Sequence, residues 1–159
     1  MADHRMVIRR TDEQSVVDAL LGSLRDGMSQ ALVIRGEPGI GKTTLLGHLI
    51  ESASDAQSET VTLSDGGEVT AHWSESVGKA VLVSDGLPSI ADDESFELWF
   101  VRDGAAIPAG TFTSEDGTAT ALLEGAIESG DVIAVTVEQA GGSPTGQPTS
   151  DPIIAIETA

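Results

Sequence analysis

The segment of residues 96–102 limits the possible folds of this chain more than any other part of the sequence. Its apolar side chains occupy both alternating positions, with Phe96, Leu98 and Phe100 on one side and Trp99 and Val101 on the other. A strand with one solvated face would be polar at every second position, so this pattern predicts a strand covered on both faces. The sequence therefore places this segment at the centre of a core.

Short alternating segments continue on both sides of this strand, and turn sequences rich in Gly, Asp, Ser and Pro separate them. The predicted strands are residues 60–64, 68–73, 79–83, 96–102, 110–113, 118–123, 132–138 and 153–157. Several short strands at intervals of about ten residues are typical of an antiparallel β-sandwich of roughly one hundred residues. We therefore predict a mainly β fold, a sandwich of seven or eight strands.

Charge and aromatic residues divide the chain into two parts. Residues 1–56 carry six Lys and Arg against eight Asp and Glu, whereas the remainder carries two against eighteen, together with all five aromatic residues. An acidic surface repels phosphate backbones, so nucleic acid binding by the second part is not expected. The chain has no cysteine, which excludes disulfides and thiolate zinc sites. No apolar run reaches the length of a membrane span, so the sequence predicts a soluble chain, cytoplasmic if expressed alone.

The first part contains a phosphate-loop pattern. Residues 11–14 form a capping box that begins a helix, residues 31–35 form a short apolar strand, and the pattern Gly-x-x-x-x-Gly-Lys-Thr follows before a second apolar stripe of helical spacing. In such a loop Gly36, Gly39 and Gly41 turn backbone N–H groups toward a phosphate. Lys42 neutralises the β- and γ-phosphates and Thr43 binds magnesium. A glycine-rich turn that matches the pattern by accident is the alternative.

Residues 10–53 resemble the start of the ATPase domain of LuxR-family and MalT-like regulators, and the similarity is greatest at residues 32–46. The resemblance implies ATP and magnesium at the loop. The further parallel strands, the Walker B aspartate and the helix-turn-helix domain of that family are not recognisable here. Asp85 follows an apolar run, but a strand end that leads into a turn explains it better than a metal ligand does. Hydrolysis is therefore not expected, and no cofactor is predicted to be required.

Other candidate sites in the second part favour structural explanations. The three histidines are far apart, and the acidic stretches 92–94 and 115–117 lack the ligand pattern of a calcium loop. We predict no catalytic residue and no metal site. Residues 138–144 form the best candidate for a functional loop, although Gly141 and Gly142 are also explained by backbone geometry alone. Trp73 and Trp99 are predicted to lie in the core.

Residues 61–148 resemble the C-terminal domain of anti-sigma-K factors of the RskA type. The matching blocks occur in the family's order at residues 72–73, 80–88, 96–104, 107–112, 116–117 and 133–146. Departures are Phe96 in place of Tyr, Gln139 in place of Pro, and a shortened segment between Ser143 and Pro148. The resemblance implies a non-enzymatic, extracytoplasmic domain with a protein partner or protease, in a family where it follows a membrane helix and a sigma-binding domain.

The sequence thus predicts a chimera of two units that join within residues 52–58. Residues 1–57 are interpreted as a truncated α-β-α fragment of a phosphate-loop ATPase, and residues 58–159 as the RskA-like sandwich. The leading functional hypothesis is a non-enzymatic regulatory or interaction domain of the anti-sigma factor type. The alternative is an ATP-binding module of a LuxR-type transcriptional regulator.

Overall fold

The computed structural model describes residues 50, 51 and 53–158, and this part of the chain is almost entirely β-structure. Eight strands form two four-stranded antiparallel sheets. The strands are β1 Gln57–Thr62, β2 Glu68–Ser74, β3 Lys79–Asp85, β4 Glu94–Arg102, β5 Ala105–Phe112, β6 Ala119–Leu122, β7 Val132–Gln139 and β8 Ile154–Glu157. The prediction of a mainly β chain with antiparallel sheets is confirmed. The predicted α-β-α fragment lies in residues 1–57, almost wholly outside the described residues, and the part that is described shows no such unit.

The chain passes between the two sheets three times. Sheet 1 has the order β1-β2-β3-β6, and sheet 2 has the order β5-β4-β7-β8. Strand β6 returns to pair with β3 after the β4–β5 hairpin, and β7 then pairs with β4. As a result β4, the strand predicted to be central, is flanked on both sides within its sheet.

In the β4–β5 hairpin, the two turn residues determine how the strands pair. The two strands are joined by two residues only, Asp103 and Gly104, both with positive φ (51° and 78°). A two-residue hairpin of this type needs left-handed backbone at both positions, and Asp-Gly is a preferred pair for it. The turn predicted at these residues therefore fixes the pairing of Arg102 with Ala105.

The core between the sheets is built from one face of each strand. From β4 it takes Phe96, Leu98 and Phe100, which are all at most 2 % exposed, and Phe96 stacks on Phe112 of β5 at a ring distance of 5.2 Å. Trp73 of β2 also lies in this core, as predicted. Its indole N–H has no hydrogen-bond partner among the described residues.

Two observed strands begin three or more residues earlier than predicted. Strand β1 begins at Gln57 rather than residue 60, and β5 begins at Ala105 rather than residue 110. Pro108 and Gly110 would weaken the interior of a central strand. As an edge strand, however, β5 tolerates a residue without an N–H, and the pairing register shifts between Glu97 and Trp99.

The segment predicted as a linker is attached to sheet 1. The carboxylate of Asp55 accepts hydrogen bonds from the Ser76 N–H (2.8 Å) and hydroxyl (2.5 Å) and from the Ser74 hydroxyl (2.7 Å). The bonds from Ser76 and Ser74 lower the pKa of Asp55 to about 2. Residue 55, within the predicted junction at residues 52–58, therefore anchors the chain to the β2–β3 turn.

The residues just before this anchor lie over the outer face of sheet 1. Ile50 is fully buried although it is not part of the core between the sheets. Glu51 lies 3.8 Å from the Nδ1 atom of His72, which points to the outer face of β2. Val81, paired with His72 on the same face, is only 2 % exposed. Residue 51 thus lies beside the outer face of β2.

Candidate functional site

The outer face of sheet 2 carries buried polar side chains, which is unusual for a face directed away from the core. Glu97 and Trp99 of β4 lie beside Thr136 and Glu138 of β7, and all four are at most 5 % exposed. Burying a polar group is costly unless hydrogen bonds replace those to water. Residues 140–151, which follow β7 and are here named the clasp loop, donate hydrogen bonds to the two carboxylates of this face.

A hydrogen-bonded chain connects the tryptophan to the second carboxylate. The Trp99 Nε1–H donates to Thr136 Oγ1 at 2.9 Å, and the Thr136 hydroxyl donates to Glu138 Oε1 at 2.8 Å. The threonine hydroxyl uses both its acceptor and its donor capacity, so its orientation is fixed. The chain joins β4 to β7 through side chains in addition to the backbone ladder.

Glu138 holds the far end of the clasp loop. Its carboxylate accepts from the Thr149 N–H at 2.8 Å and from the Thr149 hydroxyl, in addition to Thr136. Burial raises the pKa of Glu138, but the hydrogen bonds from Thr149 and Thr136 outweigh it and hold the pKa below its ordinary value. Glu138 is therefore a charged acceptor at neutral pH, and its partners are donors fixed by the fold.

Glu97 holds the near end of the same loop. Its Oε2 atom accepts from the Ser143 N–H at 2.5 Å. The backbone of Gly142 passes so close that an added Cβ would lie 3.1 Å from both Glu97 Oε2 and Thr111 Cγ2, and its φ is +99°. Gly141 also has a positive φ (+92°), but a Cβ there would meet nothing within 4 Å. Backbone geometry accounts for both glycines, and close approach to Glu97 adds a second requirement at Gly142 only.

The exposed part of the clasp loop is also held by short hydrogen bonds. The Ser143 hydroxyl donates to the Gln147 carbonyl at 2.5 Å and lies 3.0 Å from Thr145 Oγ1. The Gln147 side chain donates to the Ala106 carbonyl on β5 at 3.4 Å. The tip at residues 144–146 is therefore a well-supported surface feature and not a free connection.

An ion pair with one buried partner lies at the end of the sandwich, and sequence reasoning missed it. Arg102 donates from Nε and from a terminal nitrogen to the two carboxylate oxygens of Asp131, each at 2.8 Å, and Asp131 is fully buried. The hydrogen bond from Arg102 lowers the pKa of Asp131. The pair pins the turn before β7, since Asp131 also accepts from the Glu128 N–H at 2.8 Å. The signal that could have indicated this ion pair was an arginine at the end of a buried strand in a strongly acidic domain.

Both polar groupings are suited to holding structure in place. In the clasp, the buried indole N–H, the threonine hydroxyl and the two carboxylates all have protein partners. Within residues 50, 51 and 53–158, no three His, Cys, Asp or Glu side chains are grouped so that they could hold a metal ion. The arrangement can therefore present a rigid loop for recognition.

The structure separates the predicted site residues into three groups. The predicted nucleotide-binding residues Gly36, Gly39, Gly41, Lys42 and Thr43 lie outside the described part of the chain, and their role stays a prediction. Asp85 and the acidic stretch at 92–93 are exposed at strand ends or turns. The loop at 138–144 is the one that the structure assembles into a buried cluster.

Trp99 is buried as predicted, but not where a core residue was expected. It lies on the outer face of sheet 2, the face on which Glu97 and Glu138 bind the clasp loop, because its neighbours Leu98 and Phe100 occupy the inner face. The two sequence blocks at residues 96–104 and 133–146 are thus in direct contact. Each supplies a carboxylate that holds the loop, Glu97 from the first and Glu138 from the second.

Within the part of the chain that the structure describes, no helix is both long and apolar enough to cross a bilayer. Among curated proteins, the chain is 31 % identical over 102 residues to an uncharacterized protein in the phr 5′ region of Streptomyces griseus. The match covers 64 % of this chain and 42 % of that relative, so the chain spans about two fifths of the relative's length. No solved structure matches the chain.

The family model described as "Anti-sigma-K factor rskA, C-terminal" matches residues 9–153. The match begins well before the predicted junction and includes the glycine-rich loop, so neither this family nor the Streptomyces relative supports the LuxR-type assignment of the first part. The match covers most of the chain and agrees with the resemblance carried by residues 61–148. The chain belongs to the family of anti-sigma-K factor RskA C-terminal domains.

Proposed function

We propose that this chain is the non-enzymatic regulatory domain of an anti-sigma factor, and that it acts by binding protein partners. The observation that carries the proposal is the family match over residues 9–153. Its finer form is that the domain controls the release of an extracytoplasmic-function sigma factor from a sigma-binding part elsewhere in the same protein. In that arrangement the sandwich lies outside the cytoplasm and meets a partner or protease there.

The geometry of the clasp supports a binding role. Two carboxylates, a threonine and a tryptophan are used to hold the clasp loop in one conformation, with its tip at residues 144–146 toward solvent. A preorganised loop loses little conformational entropy on binding, which favours recognition. The net charge of −18 makes nucleic acid an unsuitable partner for this surface, since phosphate binding depends on Lys and Arg.

The test is a transcript measurement in the host that carries the gene. Deleting the gene should change the transcripts of a compact set of promoters that depend on one sigma factor, and restoring the intact gene should reverse the change. A gene lacking only the region for residues 57–159 should fail to restore regulation. If no sigma-dependent promoter set responds to deletion, the proposal is overturned.

The Lys42→Ala substitution separates this proposal from the nucleotide hypothesis. The predicted ATP and magnesium contacts of Gly36, Gly39, Gly41, Lys42 and Thr43 stay a prediction. Under the regulatory proposal, Lys42→Ala restores regulation as well as the intact gene. Saturable binding of ATP with magnesium, measured by calorimetry and abolished by Lys42→Ala, would support a nucleotide-binding role instead.

A further inference from the structure

From the edges of the two sheets we infer that β1 is the docking edge for an extended, Lys- or Arg-bearing peptide segment of a partner protein. The inference deepens the proposed function and rests on it, because it states where a protein partner binds and which chemistry it brings. The mode is addition of a strand to a sheet, in which backbone hydrogen bonds supply affinity and side chains supply selectivity.

The four edge strands differ in how well they could accept another strand. Strands β6 and β8 have only four residues each. Strand β5 contains Pro108 and Gly110, pairs irregularly with β4, and is contacted by the clasp loop through Gln147. Short length, proline and irregular pairing are the devices by which proteins block strand addition. Three of the four edges are therefore protected.

Strand β1 has none of these three features, and of the charged side chains that can also protect an edge it has one, Glu59. Its six residues pair in continuous register with β2, from Gln57 opposite Trp73 to Thr62 opposite Glu68, and it contains neither proline nor glycine. Five of the six side chains are exposed, Val61 being the exception. Among the described residues β1 pairs only with β2, and an added strand would bind the backbone groups on its other side.

Charge determines the kind of partner. Residues 53–78, which contain β1, β2 and their connections, carry five acidic residues and no Lys or Arg. Glu59 stands in the middle of β1 itself. An extended segment with Lys or Arg would gain attraction along this edge, whereas a second copy of the chain would bring acidic residues against acidic residues.

The first experiment uses the full chain and a defined probe. The probe is a capped peptide of about eight residues that alternates lysine with threonine and valine, and its control replaces every lysine by glutamate. Titration followed by amide NMR should shift the resonances of residues 57–62 in a saturable way, and the shifts should weaken at high salt because exposed charges are screened. Absence of shifts at β1, or equal binding of the acidic control, would overturn the inference.

A pair of proline variants tests the edge itself. Successive residues of an edge strand direct their backbone groups alternately toward the neighbour and away from it. Of Glu59→Pro and Thr60→Pro, one therefore breaks a hydrogen bond to β2 and lowers the melting temperature, while the other removes an outward N–H and leaves the fold nearly unchanged. The stable member of the pair should bind the basic probe at least tenfold more weakly than the wild type. Unchanged binding would contradict the inference.

The same stable variant separates the inference from the proposed function in cells. If deletion of the gene alters sigma-dependent transcripts but the stable proline variant regulates like the wild type, the docking edge is wrong and the regulatory role stands. If deletion alters no such transcripts, the regulatory role fails. Concentration-dependent dimers that the proline variant abolishes would show that β1 binds a second copy, which would overturn the choice of a basic partner.

Discussion

Replacing Thr136 by valine should destabilise the domain by about 3 kcal/mol. The side chain is 1 % exposed, and valine has nearly the same shape, so packing is preserved while the hydroxyl is lost. The Trp99 indole N–H then becomes an unpaired buried donor, which costs about 1–3 kcal/mol. The charged Glu138 also loses the hydrogen bond from Thr136, and such a bond is worth about 1.5–3 kcal/mol. Because Glu138 keeps its hydrogen bonds from Thr149, we expect the total of the two costs near the lower end of its range.

The assay is urea unfolding of the full chain followed by tryptophan fluorescence. With a slope of about 1.5 kcal/mol per molar urea, the midpoint should fall by roughly 2 M. Thr136→Ser keeps the hydroxyl and serves as the matched control, with a much smaller fall. In a double-mutant cycle with Trp99→Phe, the two effects should be coupled by about 1 kcal/mol or more. A midpoint for Thr136→Val within the error of the Ser control would refute the hydrogen-bonded chain.

Two further predictions concern the loop and its charges. Gly141→Ala should lower the free energy of unfolding by about 1–2 kcal/mol, because an alanine is strained at positive φ. Gly142→Ala should lower it clearly more, because its Cβ also meets Glu97 and Thr111. Equal urea midpoints for the two variants would contradict the close approach at Gly142. Because the pKa of Glu138 is lower in the folded state, its charged carboxylate contributes fully to stability above the ordinary pKa of 4.5. This contribution is lost as the pH falls through the lower pKa of the folded state. The difference in melting temperature between wild type and Glu138→Gln should therefore shrink steadily below about pH 4.5, and a difference that grows in acid would contradict this sign.

The order of the strands along the chain followed from the sequence because turn signals and alternation are local. Asp103 and Gly104 define their hairpin without help from the rest of the molecule. The extent of β5 did not follow, since only its position at a sheet edge makes Pro108 tolerable. The hydrogen bonds of Asp55 did not follow either, because its partners, Ser74 and Ser76, lie about twenty residues away along the chain.

Two parts of the polar cluster could be predicted from the sequence, but not their contact. Trp99 and Val101 indicated that the second face of β4 is covered, and a glycine-rich loop was singled out as functional. What joins the two is the pairing of Glu97 with Thr136 across β4 and β7, a non-local register that no local pattern specifies. The alternation of Thr136 and Glu138 with apolar residues in β7 was the signal that could have indicated buried polar groups on the outer face.

The first part of the chain shows the limit of motif reasoning. A phosphate-loop pattern is short, and here it falls within a stretch that the anti-sigma family model also matches. The anchor at Asp55 and the burial of Ile50 connect the preceding chain to sheet 1. We therefore expect residues near 50 to behave as a part of the sandwich, in contrast to the two-unit division at residue 57.

The central claim is that Glu97 and Glu138 hold the clasp loop over Trp99. Hydrogen exchange by NMR on the full chain tests it directly, through the backbone N–H groups of Ser143 and Thr149 and the indole N–H of Trp99. All three protons should exchange far more slowly than those of an exposed peptide, and Glu138→Gln should accelerate exchange at Thr149 more than at Ser143. Exchange of all three at the rate of an unstructured peptide in the intact protein would contradict the account.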